Sequence, residues 1–464
     1  MIDLLRFRIF GGPASSRLYP LAAQVLTLAA FGLVIAGGLA VPHVPEKLTG
    51  VLRNTNLAAL VVWSLWWPLV IISASVVGRV WCQICPMELV NSLASRIGLR
   101  RKAPLILASG WGIAVFYGLA LLGFIRTFWA HRFPERMAFF FLFLFASAAV
   151  AGLVFEKRAF CDYLCPVGRM LGLYACCAPL EWRVREAKTC EACRTKDCVA
   201  VRHAYRLTAR SCTSGLYPAS IRDNRECLVC TQCRKVCPAD NLRLSVRRPM
   251  ADLIGGLRLR PVEFFLLYLV SGLVVWELAE EWDPARKVLE FIPGQVSSRL
   301  GASGEAANLI QTLCLFVALP GLLYLVPGLT GKWLNKTTLK ESVRAFAVMF
   351  LPVVALGHLV KALFRITSRL PYYPLAFKDP IGYSTAGLVA AGDLKVDMRM
   401  ADALAPWMSV LAMLVFAGAL LAVWAIGSRS PVCGSGGRAG RVPHLVIATL
   451  YCLTLVLITV LARF

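Results

Sequence analysis

Residues 57–86 read LAALVVWSLWWPLVIISASVVGRVWCQICP. Positions 57–77 carry no charged side chain, and a helix of about 20 such residues crosses a bilayer. Gly78-Arg79 follows, then an aromatic residue and Cys82-Gln83-Ile84-Cys85-Pro86. A membrane span that empties into a thiol pair points to a helical membrane protein whose chemistry is carried by sulfur. The pattern returns downstream. The apolar run 137–155 leads through Arg158 into Phe160-Cys161-Asp162-Tyr163-Leu164-Cys165-Pro166. The two regions form a parallel internal repeat of helix, outer turn, helix, then Arg-aromatic-Cys…Cys-Pro. Repeats related by an axis along the membrane normal would bring both pairs to the same face of the bilayer.

The composition agrees. Of 464 residues, 58% are hydrophobic and 16% charged, against about 25% charged in soluble domains, which excludes a soluble enzyme. Nine apolar runs of spanning length occur, at 20–41, 57–77, 104–124, 137–155, 261–279, 307–329, 343–363, 403–426 and 442–462. Pro320, Pro327 and Pro352 interrupt the later ones. The first run is too long for the apolar core of a signal peptide and reads as a retained helix. The chain holds 50 Lys and Arg against 26 Asp and Glu, for a net charge of +24. The basic residues are denser on segments that face inward when the N-terminus is inside, so that orientation is expected, with the excess facing anionic lipid. No nucleic-acid motif, phosphate loop or Ser/His/Asp arrangement is present.

Seventeen cysteines in a large apolar chain argue for metal ligation in a reducing compartment, not for a disulfide scaffold. The hydrophilic stretch 182–250 contains Cys227-x2-Cys230-x2-Cys233-x3-Cys237-Pro238. This is the bacterial ferredoxin spacing, in which the fourth cysteine serves the neighbouring cluster. Upstream lie Cys190-x2-Cys193-x4-Cys198 and Cys212. Crossing over predicts one [4Fe–4S] cluster on Cys190, Cys193, Cys198 and Cys237, and a second on Cys227, Cys230, Cys233 and Cys212. A free thiol is the alternative for Cys212. The pairs Cys82/Cys85 and Cys161/Cys165 could together hold a third metal centre or [4Fe–4S] cluster. The alternative is a redox-active or structural thiol pair in each repeat. Cys176, Cys177, Cys314, Cys433 and Cys452 lack ligand spacing and receive no role.

Five histidines, of which only His358 lies inside a helix while His444 stands at the inner edge of the last run, give no support for a bis-His haem. His358 and Lys361 in the seventh run read either as a proton-handling or quinone contact, or as a structural pair. In the structural reading Lys361 snorkels to the interface and His358 meets a backbone carbonyl, and this is the expectation. Trp63, Trp66 and Trp67 read as packing or interface residues.

With these motifs assembled, residues 57–250 resemble the NosR/NapH-type membrane iron–sulfur proteins, and more distantly the FixG/CcoG-type proteins. The resemblance rests on Cys82, Cys85, Pro86, Cys161, Cys165, Pro166 and the eight ferredoxin-like cysteines. There are departures. The two pairs differ in spacing, the ferredoxin spacing is expanded, and the flavin-bearing domain of NosR has no counterpart in these residues. Residues 261–464 match nothing in either group. The resemblance implies electron transfer between the quinone pool and respiratory or maturation partners.

The expected architecture is an all-α polytopic bundle of about nine transmembrane helices with a small α+β two-cluster ferredoxin-like cytoplasmic segment. The expected division is 1–181, 182–250 and 251–464, in a bacterial inner membrane with the N-terminus and the Fe–S segment cytoplasmic. The expected function is electron transfer between quinone/quinol or a cytoplasmic donor and a protein redox partner, as a redox component or a quinol-linked oxidoreductase subunit. The alternative is copper reduction, handling or assembly at the interfacial cysteine pairs. A zinc-bound scaffold is a third option.

Overall fold

The computed structural model describes residues 2–42, 45–120, 129–165, 167–433 and 441–461. Among them, eight helices are long and apolar enough to cross a membrane: Leu21–Leu39, Leu57–Val76, Pro134–Val154, Pro261–Ala279, Gly304–Asn335, Leu339–Lys378, Arg399–Arg429 and Val442–Leu461. The expected crossing at 104–124 lies partly outside the described residues. Its described part is two short helices, Leu105–Ala108 and Trp111–Gly118, separated at Gly110, whose φ of +86° suits glycine. The chain divides into two compact units, one of residues 1–35, 73–117 and 139–252, the other of 36–72, 118–138 and 253–464.

In the first unit the two repeats lie side by side. Asn91, on the Pro86–Ile97 helix of the first repeat, joins them: its Nδ2 donates to Lys157 O at 2.9 Å and its Oδ1 accepts from Phe160 N at 2.9 Å. Gly152 makes the close approach feasible, since a Cβ there would stand 2.5 Å from Asn91 O. Leu99 N and Arg101 N donate to Leu153 O and Val154 O. Arg101 is thus fixed at the C-terminal end of the Pro134–Val154 helix, whose 21 residues cover about 30 Å.

The cysteine-rich segment is bracketed by two antiparallel strands, β1 (Leu180–Val184) and β2 (Leu242–Val246), with Trp182 opposite Leu244. Alternation sends Trp182, Leu242 and Leu244 to one face, where they pack with Leu5, Ala14 and Cys233. The N-terminal residues add to the sheet: Asp3 bridges Ser245, and its carboxylate meets Arg185 at 3.0 Å. The N-terminus and the cysteine segment therefore share one side.

The second unit is built around the Pro261–Ala279 and Leu339–Lys378 helices, the most buried of the spans. Pro352 leaves the latter continuous. Pro320 follows a wide turn at Cys314–Ala318, which accommodates a residue without an amide hydrogen. At Thr338 the next helix starts with a reciprocal cap: Thr338 N donates to Glu341 Oε2 at 3.0 Å and Glu341 N to Thr338 Oγ1 at 3.3 Å.

Lys361 does not snorkel to the interface as expected. Lys361 is 3% exposed and donates to Glu277 O and, at 2.6 Å, to Glu281 Oε1. His358 Nε2 faces the Glu277 carboxylate at 3.6 Å, and Arg365 holds the other Glu277 oxygen at 3.0 Å. The acidic residues after the fifth run supply counter-charge within the bundle, so the lysine need not reach water. Trp67 packs on the His358 ring, with centroids 5.9 Å apart.

Candidate metal centres

The sharpest cysteine group is in the 227–233 loop. Val229 and Thr231 adopt left-handed φ values of +56° and +60°, an alternation that curls the loop round its own sulfurs. Cys212, Cys227, Cys230 and Cys233 line one pocket of about 360 Å³ together with Trp182. The Trp182 indole donates to Cys233 Sγ at 3.3 Å. Burial pushes the Cys227 thiol up to about 12, helped by the neighbouring Cys212 and Cys230. Cys233 rises well above its ordinary value through burial and through Cys212, Cys230 and Cys227.

The second group gathers about Cys198. Its thiol is pushed up to about 11, first by burial and then by Cys237, Cys190 and Cys193. Asn241 Nδ2 donates to Cys190 Sγ at 3.3 Å, and the Tyr217 hydroxyl to Cys190 O at 2.7 Å. The two groups are coupled through the backbone, because Cys212 N donates to Cys198 O at 2.7 Å. Cys193, the most open of the set, moves the other way: the Lys196 amide and the Thr195 hydroxyl lower its pKa.

The third group joins the repeats. Cys82 lies within the short Val80–Ile84 helix and Cys85 follows its end, while Cys161 lies within the Ala159–Tyr163 helix and Cys165 two residues beyond it. Pro86 begins the Pro86–Ile97 helix, a position where its missing amide hydrogen costs nothing. Pro166 lies outside the described residues. The four thiols are close enough to oppose one another's ionisation. Cys85 is raised by burial, then by Cys165 and Cys82, and Cys161 by burial against Arg158, then by Cys165. Two buried guanidinium groups stand over them. Arg79 Nη2 is 3.8 Å from Cys82 Sγ while its Nη1 donates to Arg225 O at 2.9 Å. Arg158, 2% exposed, sits 3.4 Å from Asp162. The Gly168 amide donates to Cys165 Sγ at 3.3 Å, and a Cβ at Gly168 would crowd both Arg79 Nη2 and Cys165 Sγ.

These donor sets fit a cubane better than a single ion. Among the described residues, no three His, Cys, Asp or Glu side chains close round one point as ligands of one metal ion do. Sulfurs bound to one zinc at about 2.3 Å stand about 3.8 Å apart, whereas the corners of a cubane hold theirs farther apart. Thiols that raise one another's pKa need positive charge among them before all four ionise, and an iron–sulfur cluster supplies it.

Trp182, Asn241, Gly168 and Tyr217 have no motif of their own. Trp182 lies 51 residues from the sulfur it contacts, so only the strand pairing reveals it. Cys176 and Cys177 are buried at the end of the Gly168–Ala175 helix, and Cys452 donates to Phe416 O.

Residues 59–104 and 137–178 each match the 4Fe-4S binding domain family. The matched regions are the two repeats that carry Cys82/Cys85 and Cys161/Cys165. Among curated proteins the chain is similar to NirI of Paracoccus denitrificans, 28% identical over 296 residues, or 54% of this chain and 41% of NirI. It is also similar to the ferredoxin-type protein NapH of Haemophilus influenzae, 24% identical over 229 residues, covering 46% of this chain and 74% of NapH. A third relative, from Methanocaldococcus jannaschii, is 26% identical over 182 residues, covering 38% and 68%. The chain thus spans about two fifths of NirI and larger shares of the other two. No solved structure matches.

Eight apolar spans among the described residues and two 4Fe-4S binding repeats mark an iron–sulfur protein that crosses the membrane several times. Over part of its length the chain is similar to the ferredoxin-type protein NapH and to NirI.

Proposed function

We propose that the protein carries three [4Fe–4S] clusters and passes electrons one at a time between quinol, or a cytoplasmic donor, and a respiratory or maturation partner. The ligand sets would be Cys190, Cys193, Cys198 and Cys237; Cys212, Cys227, Cys230 and Cys233; and Cys82, Cys85, Cys161 and Cys165. The reading includes a bacterial inner membrane, with the N-terminus and the cysteine segment in the cytoplasm.

What supports it most is the grouping of twelve cysteines into three sets of four, two of them joined by the Cys212 N to Cys198 O hydrogen bond. When bound, the clusters supply reversible one-electron chemistry. The chain's own residues hold the sulfurs apart, exclude water from Cys233, and aim Trp182, Asn241 and the Gly168 amide at sulfur. Arg79 and Arg158 offset negative charge where the two repeats meet. Hydrogen bonds to sulfur and nearby positive charge raise reduction potentials. In proteoliposomes, a quinol analogue should bleach the cluster absorbance near 400 nm. Failure to do so, with dithionite still effective, would assign the donor role to a protein.

The copper-handling reading has one observation in its favour: Cys85 Sγ lies 3.6 Å from the thioether of Met87, and both are soft ligands suited to Cu(I). It requires Met87→Leu to lower copper binding while iron content is unchanged. The cluster reading requires Cys165→Ala to release iron while Met87→Leu does not.

A further inference from the structure

A second pocket lies in the first unit and shares only Cys212 and Thr213 with the sulfur-lined one. Its floor is the Pro86–Ile97 helix, which contributes Glu88, Ser92 and Ser95. One wall is Lys157 and Arg158, which follow the Pro134–Val154 span within four residues. The remainder is the loop at 199–215, with Arg210 and Thr213.

The charge of this wall is unbalanced. Lys157, Arg158 and Arg210 bring three positive charges to two carboxylates, Glu88 and the Asp162 that lies 3.4 Å from Arg158. Arg210, 7% exposed, spends Nη2 on Glu88 at 2.9 Å and Nη1 on Ser92 Oγ at 2.8 Å, and its buried Nε has no hydrogen-bond partner. Arg158 donates to Thr213 Oγ1 and Ser214 Oγ, and Lys157 makes no ion pair among the described residues. Glu88 is itself shared, since Gln24 Nε2 also donates to it. Ser92 and Thr213 accept from arginines, which leaves their own hydroxyl hydrogens free to point into the pocket. The charge left over is that of Lys157, exposed at the pocket's edge, and it favours an anion there. Guanidinium and hydroxyl donors spread round an open pocket suit an oxyanion with several acceptor oxygens.

We propose that this pocket is a phosphate-binding site, filled either by the headgroup of an anionic phospholipid or by free phosphate. Its place at the end of a membrane span, on an amphipathic helix, is where headgroups lie. A phosphate there pins the 199–215 loop, and with it Cys212, to the first repeat.

The test uses the full-length, iron-loaded protein in detergent and two probes. Native mass spectrometry reads the binding of phosphatidylglycerol. Thermal shift in inorganic phosphate, with chloride at matched ionic strength as control, reads free phosphate. At least one probe should bind saturably, with about one site per chain. Lys157→Glu should weaken binding about tenfold or more, and Ser92→Ala by a smaller factor, with iron content unchanged in both. Binding of phosphatidylglycerol alone assigns the lipid source, and binding of inorganic phosphate alone the soluble one. Saturable binding of neither probe overturns the proposal. So does binding that both iron-replete variants leave unchanged.

Discussion

Trp182 and Cys233 are joined by a hydrogen bond from the indole Nε1 to Sγ at 3.3 Å, inside a core to which Leu5 and Leu244 also belong. Trp182 is 1% exposed, so the bond is shielded from water. A donor on sulfur favours the more negative, reduced state of a cluster. Trp182→Phe keeps the ring and removes the donor. The potential of that cluster should fall by some tens of millivolts, since about 1.4 kcal/mol corresponds to about 59 mV for one electron. An EPR-monitored redox titration reads the shift, and the other clusters serve as internal controls.

Cys227 and Cys193 differ in the opposite directions of their thiol shifts. Burial and neighbouring thiols raise Cys227 to about 12, whereas backbone and hydroxyl donors lower Cys193. Raised values mean protonated, unreactive thiols at neutral pH, because the thiolate is the nucleophile. In cluster-free protein at pH 8, iodoacetamide should label Cys193 first and Cys227 and Cys233 last. Raising the pH should narrow the gap. Peptide mapping by mass spectrometry checks the order.

Gly172 meets the loop that carries Cys227: a Cβ there would stand 2.5 Å from Arg225 O. The backbone at Arg225 cannot yield easily, since its carbonyl also receives Arg79 Nη1. Gly172→Ala should cost about 1–3 kcal/mol by overpacking and loosen the seat of the loop. Lower thermal stability with partial iron loss is expected, and Gly32→Ala, where nothing lies within 4 Å, provides the comparison.

Lys361 tests the second unit. Because it is buried against Glu281 and the Glu277 carbonyl, Lys361→Met should destabilise the bundle by about 3 kcal/mol through an uncompensated carboxylate. A lysine that merely snorkelled would cost far less. Thermal unfolding in detergent, followed by the solubility of the remaining protein, distinguishes the two.

Much of this was legible in the chain. Runs such as 57–77 and 137–155 announce themselves because a lipid-facing helix tolerates almost no charge, and the Cys227–Pro238 spacing carries its chemistry within one short loop. The β1–β2 pairing was harder, since Leu180–Val184 holds a glutamate and an arginine and lacks a clean alternation. Lys361 was misread because its partner carboxylate lies 80 residues upstream and periodicity on one helix says nothing about the neighbouring one. The same holds for Arg210, whose partner Glu88 is 122 residues away.

The central claim is that three sets of four cysteines each hold a cubane, and it is tested most directly by counting iron and acid-labile sulfide in anaerobically purified protein. About twelve of each per chain are expected, falling by about four when Cys165, Cys233 or Cys198 is replaced by alanine. A colourless protein with stoichiometric zinc and no labile sulfide would contradict the account.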